Sequence, residues 1–285
     1  MSDAPQSAPV ERIVVALDAS PQSVAALRAA VELAVMTEAE VEGLFVEDID
    51  LIHLCGLPFG CEVGSFTAEV RRVDAAAMER QLRGLAAGIS EAMAQVAAET
   101  SVSWSFSVRR GVVVEELVAA AQGAALMTVG RAGRGRRRGV GSTAEALVDQ
   151  IDQMRRPLLI AGEGIGLRLP LTVLYTGTPA ARRALDLALR LTRRDPVRMR
   201  VVAWANGDVT LDVTELEAAV RDVLEHAPRL DEKRESSRAS AAPVGVGPAE
   251  DLLAVLKGMD GGTLLVPREQ ASLVSRYGAA VLLVP

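Results

Sequence analysis

Short runs of β-branched and aliphatic residues alternate along the chain with longer stretches in which apolar positions recur every three or four residues. RIVVALD (Arg12–Asp18) opens the series as a buried strand ending in a carboxylate. SPQSVAALRAAVELAVM follows as a helix, with Ser20 placed to cap it and Pro21 pre-set for the first helical position. AEVEGLFVED (Ala39–Asp48) is the next strand, so the unit predicts a parallel pair joined by a right-handed crossover. Beyond an apolar loop, DLIHLCGLPFGCEVGS, a helix is expected from about Thr67 to Glu99. Its buried stripe would be Val70, Val73, Ala77, Leu85, Ile89, Met93 and Val96, with Gly84 and Gly88 marking a bend or a close packing. VSWSFSVRRG sets Val102, Trp104, Phe106 and Val108 against serines as a third strand. VVVEELVAAAQG, AALMTVG, STAEALVDQIDQM and RPLLIAG continue as helix, strand, helix and strand.

Strands alternating with helices in this way describe an open parallel sheet completed in about 160 residues. After GEGIGLRLP the pattern restarts. LTVLYTG and VRMRVVAW read as strands, PAARRALDLALRLTRR and VTELEAAVRDVLEHA as helices, and the polar DEKRESSRASAAPVGVGP carries at most a weak third strand. DLLAVLKG, GTLLVP, REQASLVSRYG and AAVLLVP close the series as helix, strand, helix and strand. The expected organisation is a disordered N-terminus (1–11), a first α/β domain (12–163), a linker (164–170) and a second, trimmed α/β domain (171–285), the product of a tandem duplication. Each is expected to be an open Rossmann-like parallel sheet with strand order 3-2-1-4-5.

Composition narrows the chemistry. Hydrophobic residues make up 49% and aromatics only 3%, so the core must be built of Ala, Val and Leu. A net charge of −6 argues against a surface devoted to nucleic acid. Two cysteines, Cys55 and Cys61, are too few for a disulfide scaffold. The N-terminal MSDAPQSAPVER has no apolar signal core, and no window approaches 18 uninterrupted apolar residues. A cytoplasmic protein is expected.

Against this acidic background, VGRAGRGRRRGVGST (Val129–Thr143) concentrates five arginines and five glycines between a strand and a helix start. With strand order 3-2-1-4-5 the first and fourth strands are neighbours at the reversal of the sheet, where ligands bind. Asp18 and the glycine loop would then share one crevice. Gly130, Gly133, Gly139 and Gly141 let backbone N–H groups approach an anion, and the arginines add charge-assisted contacts. Ser142-Thr143-Ala144-Glu145 fits a capping box at a helix start, itself a phosphate-binding feature. A phosphate-bearing ligand is the direct reading. The flanks lack the aromatics that would stack bases, which argues against nucleic acid.

The loop resembles the G-x2-G-x9-G-[ST] signature of ATP-binding universal stress proteins. Gly130 and Gly133 match its first glycines and Gly141-Ser142 its final pair, with seven residues rather than nine between Gly133 and Gly141. VALDASPQSVAAL and GLFVED are similar to the family's first strand and turn and its second strand. The resemblance implies a nucleotide-binding α/β sandwich, usually dimeric, with ATP as ligand, with or without Mg²⁺. Asp18 matches the nucleotide-site aspartate, and Val46 the residue whose backbone contacts adenine. Val129, Gly130, Gly133, Gly141, Ser142 and Thr143 match the residues around ribose and phosphates, and Arg134 adds a cation inside the loop. The second half has LYTGTP where the first has the aspartate, and Pro267 with no glycine series in TLLVPREQASLV. One site per chain is therefore expected, with the second domain a degenerate structural partner. In the family, domains pair through their last strands, so RPLLIAG and AAVLLVP would form a pseudo-dimer within the chain, with a homodimer of two chains also open.

No nucleophile–base pair is visible, the Walker sequence is absent, and the chain has two histidines, so no more than slow ATP hydrolysis is expected. His53, Cys55, Cys61 and Glu62 match no familiar zinc spacing and read as a buried or lid-like loop. The leading reading is a ligand-sensing stress or regulatory factor that signals to a protein partner. Three alternatives stand beside it: a scaffold of the same fold without nucleotide, an adenine-nucleotide-dependent enzyme, and a regulator that binds an anionic surface through its arginines.

Overall fold

The computed structural model describes residues 11–55, 61–63, 70–72, 75–131, 142–162, 166–192, 199–205, 218, 240–241, 245–246, 249–259 and 262–285. In the first half β1 (Arg12–Leu17), α1 (Pro21–Thr37), β2 (Glu40–Asp48) and α2 (Ile49–Cys55) lead to a small hairpin, β3 (Cys61–Val63) with β4 (Val70–Arg72). Then come α3 (Ala75–Ala98), β5 (Trp104–Gly111), α4 (Val113–Gln122), β6 (Leu126–Gly130), α5 (Thr143–Asp149), α6 (Ile151–Met154) and β7 (Leu158–Ala161). The second half runs β8 (Leu171–Tyr175), α7 (Pro179–Leu191), β9 (Met199–Ala205), β10 (Ser240–Ala241), β11 (Gly245–Val246), α8 (Ala249–Gly258) and β12 (Thr263–Pro267). A 3-10 turn at Arg268–Gln270, α9 (Leu273–Arg276) and β13 (Val281–Val284) complete it.

Apart from the β3–β4 hairpin, these strands form one eleven-stranded sheet, ordered β10-β9-β8-β12-β13-β7-β6-β1-β2-β5, with β11 also paired to β9. The first half reads β5-β2-β1-β6-β7, the expected 3-2-1-4-5 order, and all its pairs are parallel. The seam between halves is the one antiparallel pair of this sheet, β7 with β13, in which Leu159 faces Leu282. The last strands of the two halves thus cover each other's edges, as expected.

Each face of the sheet carries a core that crosses this seam. On one face Ile13, Val15 and Leu17 pack with α1, α3 and α7 and with Leu171, Val173 and Leu282. On the other, Val14, Leu44 and Met127 pack with α4, α5, α6, α8 and α9 and with Leu174, Val202 and Leu283. Alanines at 25, 26, 29, 30 and 34 of α1 are almost fully buried, which lets the helix lie close to the sheet with few aromatics in the core.

Several expectations are corrected. The helix begun at Thr67 is split: Val70–Arg72 is a strand whose backbone pairs with Cys61–Val63, and α3 begins at Ala75. Pairing available only in three dimensions outweighs a three-residue spacing that also suited a helix. The buried face of α3 is Leu82, Ile89, Met93 and Ala97, while Ala77 and Leu85 are exposed. Gly84 and Gly88 face open space, so neither marks a close packing. The helix expected over STAEALVDQIDQM is broken at Gln150, whose N–H turns back to the Leu147 carbonyl (3.1 Å). That break lets Leu147, Ile151 and Met154 all reach the core. REQASLVSRYG likewise divides into the 3-10 turn and α9. The weak third strand of the second half is present as the two short pieces β10 and β11, both parallel to β9. Residues 1–10 and nearly all of VTELEAAVRDVLEHA lie outside the described residues.

Candidate functional site

The site region lies at the carboxyl ends of β1 and β6, beside β2, which runs three residues past the end of β1. Continuing the β1–β6 register from Val15↔Thr128 sets Leu17 opposite Gly130, and the β1–β2 ladder sets Leu17 opposite Phe45. Asp18 and Val46 therefore stand side by side at the carboxyl edge, one residue beyond the level of Gly130, where the chain order of the sheet reverses.

Local chemistry makes the β1–α1 turn rigid. The Ser20 N–H and hydroxyl both donate to Asp18 Oδ1, at 3.0 and 2.5 Å. Between them Ala19 takes a left-handed backbone (φ 63°). Ser20 then caps α1 by accepting from the Ser23 N–H (3.1 Å), and Pro21 opens the helix as its sequence predicts. Asp18 is thus a turn residue placed at the strand ends.

Val46 offers backbone. The Glu40 N–H donates to the Glu11 carbonyl (2.9 Å), so even-numbered positions of β2 face β1. The ladder with β1 stops at Leu17–Phe45, while that with β5 continues to Asp48–Gly111. The Val46 carbonyl accordingly aims past the end of β1, while its side chain packs on the α4 face. Glu47 beside it is buried and held by Arg110, whose Nε and Nη2 each lie 2.8 Å from Oε2.

Gly130 ends β6 against the first turn of α1: a Cβ there would lie 2.5 Å from the Gln22 carbonyl carbon and oxygen. Only glycine permits that approach. Val129 before it is buried in the core, so its side chain is structural. Ser142 caps α5 in a full capping box: the Glu145 N–H donates to Ser142 Oγ (3.2 Å), and the Ser142 N–H to Glu145 Oε2 (3.0 Å). Thr143 is the first residue of that helix. Gly133, Arg134, Gly139 and Gly141 lie outside the described residues.

Arg131, which the sequence offers as one of several loop arginines, turns away from the crevice. Its Nη1 donates to the Val274 carbonyl and its Nη2 to the Ala279 carbonyl (3.1 Å), both in the second half. The same position after β12 is Arg268, which pairs with Asp152 of α6 in the first half. An alignment of TVGR with LVPR would have exposed the correspondence, though not the direction of either side chain.

The corresponding turn of the second half repeats the first in backbone. Gly177 takes the place of Ala19 (φ 77°), and Thr178 caps α7 by accepting from the Ala181 N–H (3.1 Å), ahead of Pro179. Thr176 stands where Asp18 does. Glu269 approaches Thr178 Oγ1 (3.5 Å) from the turn after β12. Of the metal-type residues, His53 is exposed and Cys55 buried on α2, with Cys61 and Glu62 on β3. Among the described residues no group of three His, Cys, Asp or Glu side chains is close enough to hold an ion. Nor is any described helix long and apolar enough to cross a membrane.

An open α/β sheet of parallel strands, joined edge to edge with a second one through a single antiparallel pair, defines the class. The chain belongs to the universal stress protein family, whose pattern matches residues 9–154, just over half of it. A universal stress protein from Archaeoglobus fulgidus DSM 4304 has a similar structure, with a TM-score of 0.64 at 13% identity, over 95% of this chain and 97% of that one. A functionally unknown protein from Pseudomonas aeruginosa PAO1 gives a TM-score of 0.55 at 13% identity, over 96% and 92%. At such identities the likeness is one of fold. No curated protein matches the chain in sequence.

Proposed function

We propose that the first half binds an adenine nucleotide, ATP with Mg²⁺, at the carboxyl ends of β1, β2 and β6. The observation that carries this reading is that Asp18, the Val46 carbonyl and the side-chain-free Gly130 lie within one residue of each other in level on three neighbouring strands. Both turn bonds fall on Asp18 Oδ1, which leaves Oδ2 for a ligand hydroxyl. The Val46 carbonyl suits the amino group of adenine. Beyond Gly130 runs the glycine–arginine loop, rich in phosphate-binding residue types, with Ser142 and Thr143 at its far end. Residues 12–163 would form the nucleotide domain and 171–285 its degenerate partner. In the second half the Glu269 carboxylate stands beside Thr178, and a negative charge there disfavours phosphate. The role is ligand sensing: nucleotide alters the surface beside the crevice, and a protein partner reads it.

Calorimetric titration of stripped protein with ATP and Mg²⁺ tests the site. Wild type should bind, and Asp18→Asn, which keeps an acceptor for Ser20 but removes the charge, should bind at least about tenfold more weakly, a loss of about 1.4 kcal/mol. Equal affinity in the two proteins would remove Asp18 from the site. Absence of binding by wild type would leave the scaffold reading.

A further inference from the structure

The end of β6 is held from two sides. Gly130 is packed against the backbone of Gln22 at the start of α1. Arg131, the next residue, donates its backbone N–H to the Ala161 carbonyl at the end of β7 (3.3 Å). Its guanidinium reaches over the seam to two carbonyls of the second half, at Val274 in α9 and at Ala279 before β13. The approach is close throughout: a Cβ on Gly162, one residue past β7, would lie 3.0 Å from Ala279 and Ala280 backbone atoms. A guanidinium presents its donors in a rigid fork, so two carbonyls fix both its position and its direction. Lysine, a single point donor on a flexible stem, does not reproduce that constraint.

We infer that the second half sets the ligand affinity of the first through Arg131, a positioning residue that ties the Gly130 end of the crevice to the Val274–Ala279 segment. The inference rests on the nucleotide reading above. Crevice and segment then share one mechanical unit: β6 cannot shift toward or away from Gln22 without moving the guanidinium against two carbonyls. A ligand that prefers one placement of Gly130 therefore also prefers one placement of the second-half segment, and the coupling runs equally in both directions. The second half, lacking the site's own aspartate and glycine series, acts as a regulatory subunit carried on the same chain.

Arg268 supplies the internal control. It crosses the same seam in the opposite sense, pairing with Asp152, and among the described residues it forms no hydrogen bond or ion pair with Gly130 or Gln22. The experiment measures ATP–Mg²⁺ affinity of the full chain by calorimetry for wild type, Arg131→Lys, Arg131→Gln and Arg268→Ala. It also follows amide hydrogen exchange of the Val274–Ala279 segment with and without ATP–Mg²⁺. Both Arg131 variants should bind about fivefold or more weakly, the lower end of ordinary coupling between sites, and Arg268→Ala should stay within about twofold of wild type. ATP should slow exchange at the Val274 and Tyr277 amides in wild type and leave it unchanged in Arg131→Lys.

Full affinity in Arg131→Lys with loss in Arg131→Gln would mean that charge alone matters and would overturn the positioning role. An equal loss in Arg268→Ala would reduce the effect to general loosening of the seam and overturn it also. Binding by wild type with no change of exchange in the segment overturns the coupling while leaving the nucleotide site intact, and this arm needs no variant to fold. Absence of ATP binding by wild type overturns the nucleotide reading itself, and the coupling with it.

Discussion

Arg131 and Arg268 occupy the same position in the two halves, the first residue after β6 and after β12, and each reaches across the seam into the opposite half. Arg131 bonds the carbonyls of Val274 and Ala279; Arg268 bonds the Asp152 carboxylate. The duplicated halves thus meet with approximate two-fold symmetry in their backbones and with different chemistry in their side chains. One arm of the pair ends on neutral carbonyls and the other on an exposed ion pair, where solvent screening leaves it little weight.

Gly130→Ala should destabilise the protein by about 1–3 kcal/mol, because its methyl group meets main-chain atoms of Gln22 that only a shift of α1 can relieve. Urea unfolding measures the loss. The same variant should weaken ATP binding, since α1 carries the Asp18–Ser20 turn at its start.

Ser142→Ala removes one half of the α5 capping box and should cost about 1 kcal/mol. Amide exchange in the first turn of α5 should speed up, with β1 and β2 unaffected. Unchanged exchange at Glu145 would show that another group takes over the cap.

Leu159 and Leu282 face each other in the antiparallel seam, and neither is exposed. Leu159→Ala and Leu282→Ala should each cost about 2–5 kcal/mol. Because both cores cross the seam, wild type should unfold in a single calorimetric transition. Two separated transitions, with only one moved by each variant, would contradict a shared core.

Glu32 on α1 accepts from the Leu167 N–H between the halves, and burial against that backbone raises its carboxyl pKa above the ordinary value, opposed by the Leu167 bond and Arg28. The folded state therefore holds this proton more tightly than the unfolded chain. The stability it contributes is complete below the ordinary carboxylate range and is lost as pH rises through the raised value. Glu32→Gln keeps an acceptor for Leu167 and should flatten that part of the stability–pH curve. Melting curves from pH 4 to 7 compare the two slopes.

Much of the fold was legible because parallel sheets write themselves into sequence as apolar runs separated by amphipathic helices. RIVVAL, LMTVG and LLIA each read as strands, and Ser20, Pro21 and the Ser142–Glu145 box mark their helix starts within a residue. That Asp18 and Gly130 stand at neighbouring strand ends was legible because strand order 3-2-1-4-5 makes β1 and β6 partners. The hairpin at β3–β4, the break at Gln150 and the face of α3 were not, because each depends on partners distant in the chain: a second strand, a core that three residues must reach together, and Met93 lying over Gly43.

Short-range periodicity and capping, which depend only on neighbours within a few residues, were enough to fix most of the parallel strands, their helix starts and the residue types gathered after β6. Tertiary structure alone decided where Arg131 points. A guanidinium beside a glycine loop satisfies an anion and a pair of carbonyls equally well in composition. The choice follows from the antiparallel meeting of β7 and β13, which brings Val274 and Ala279 within its reach.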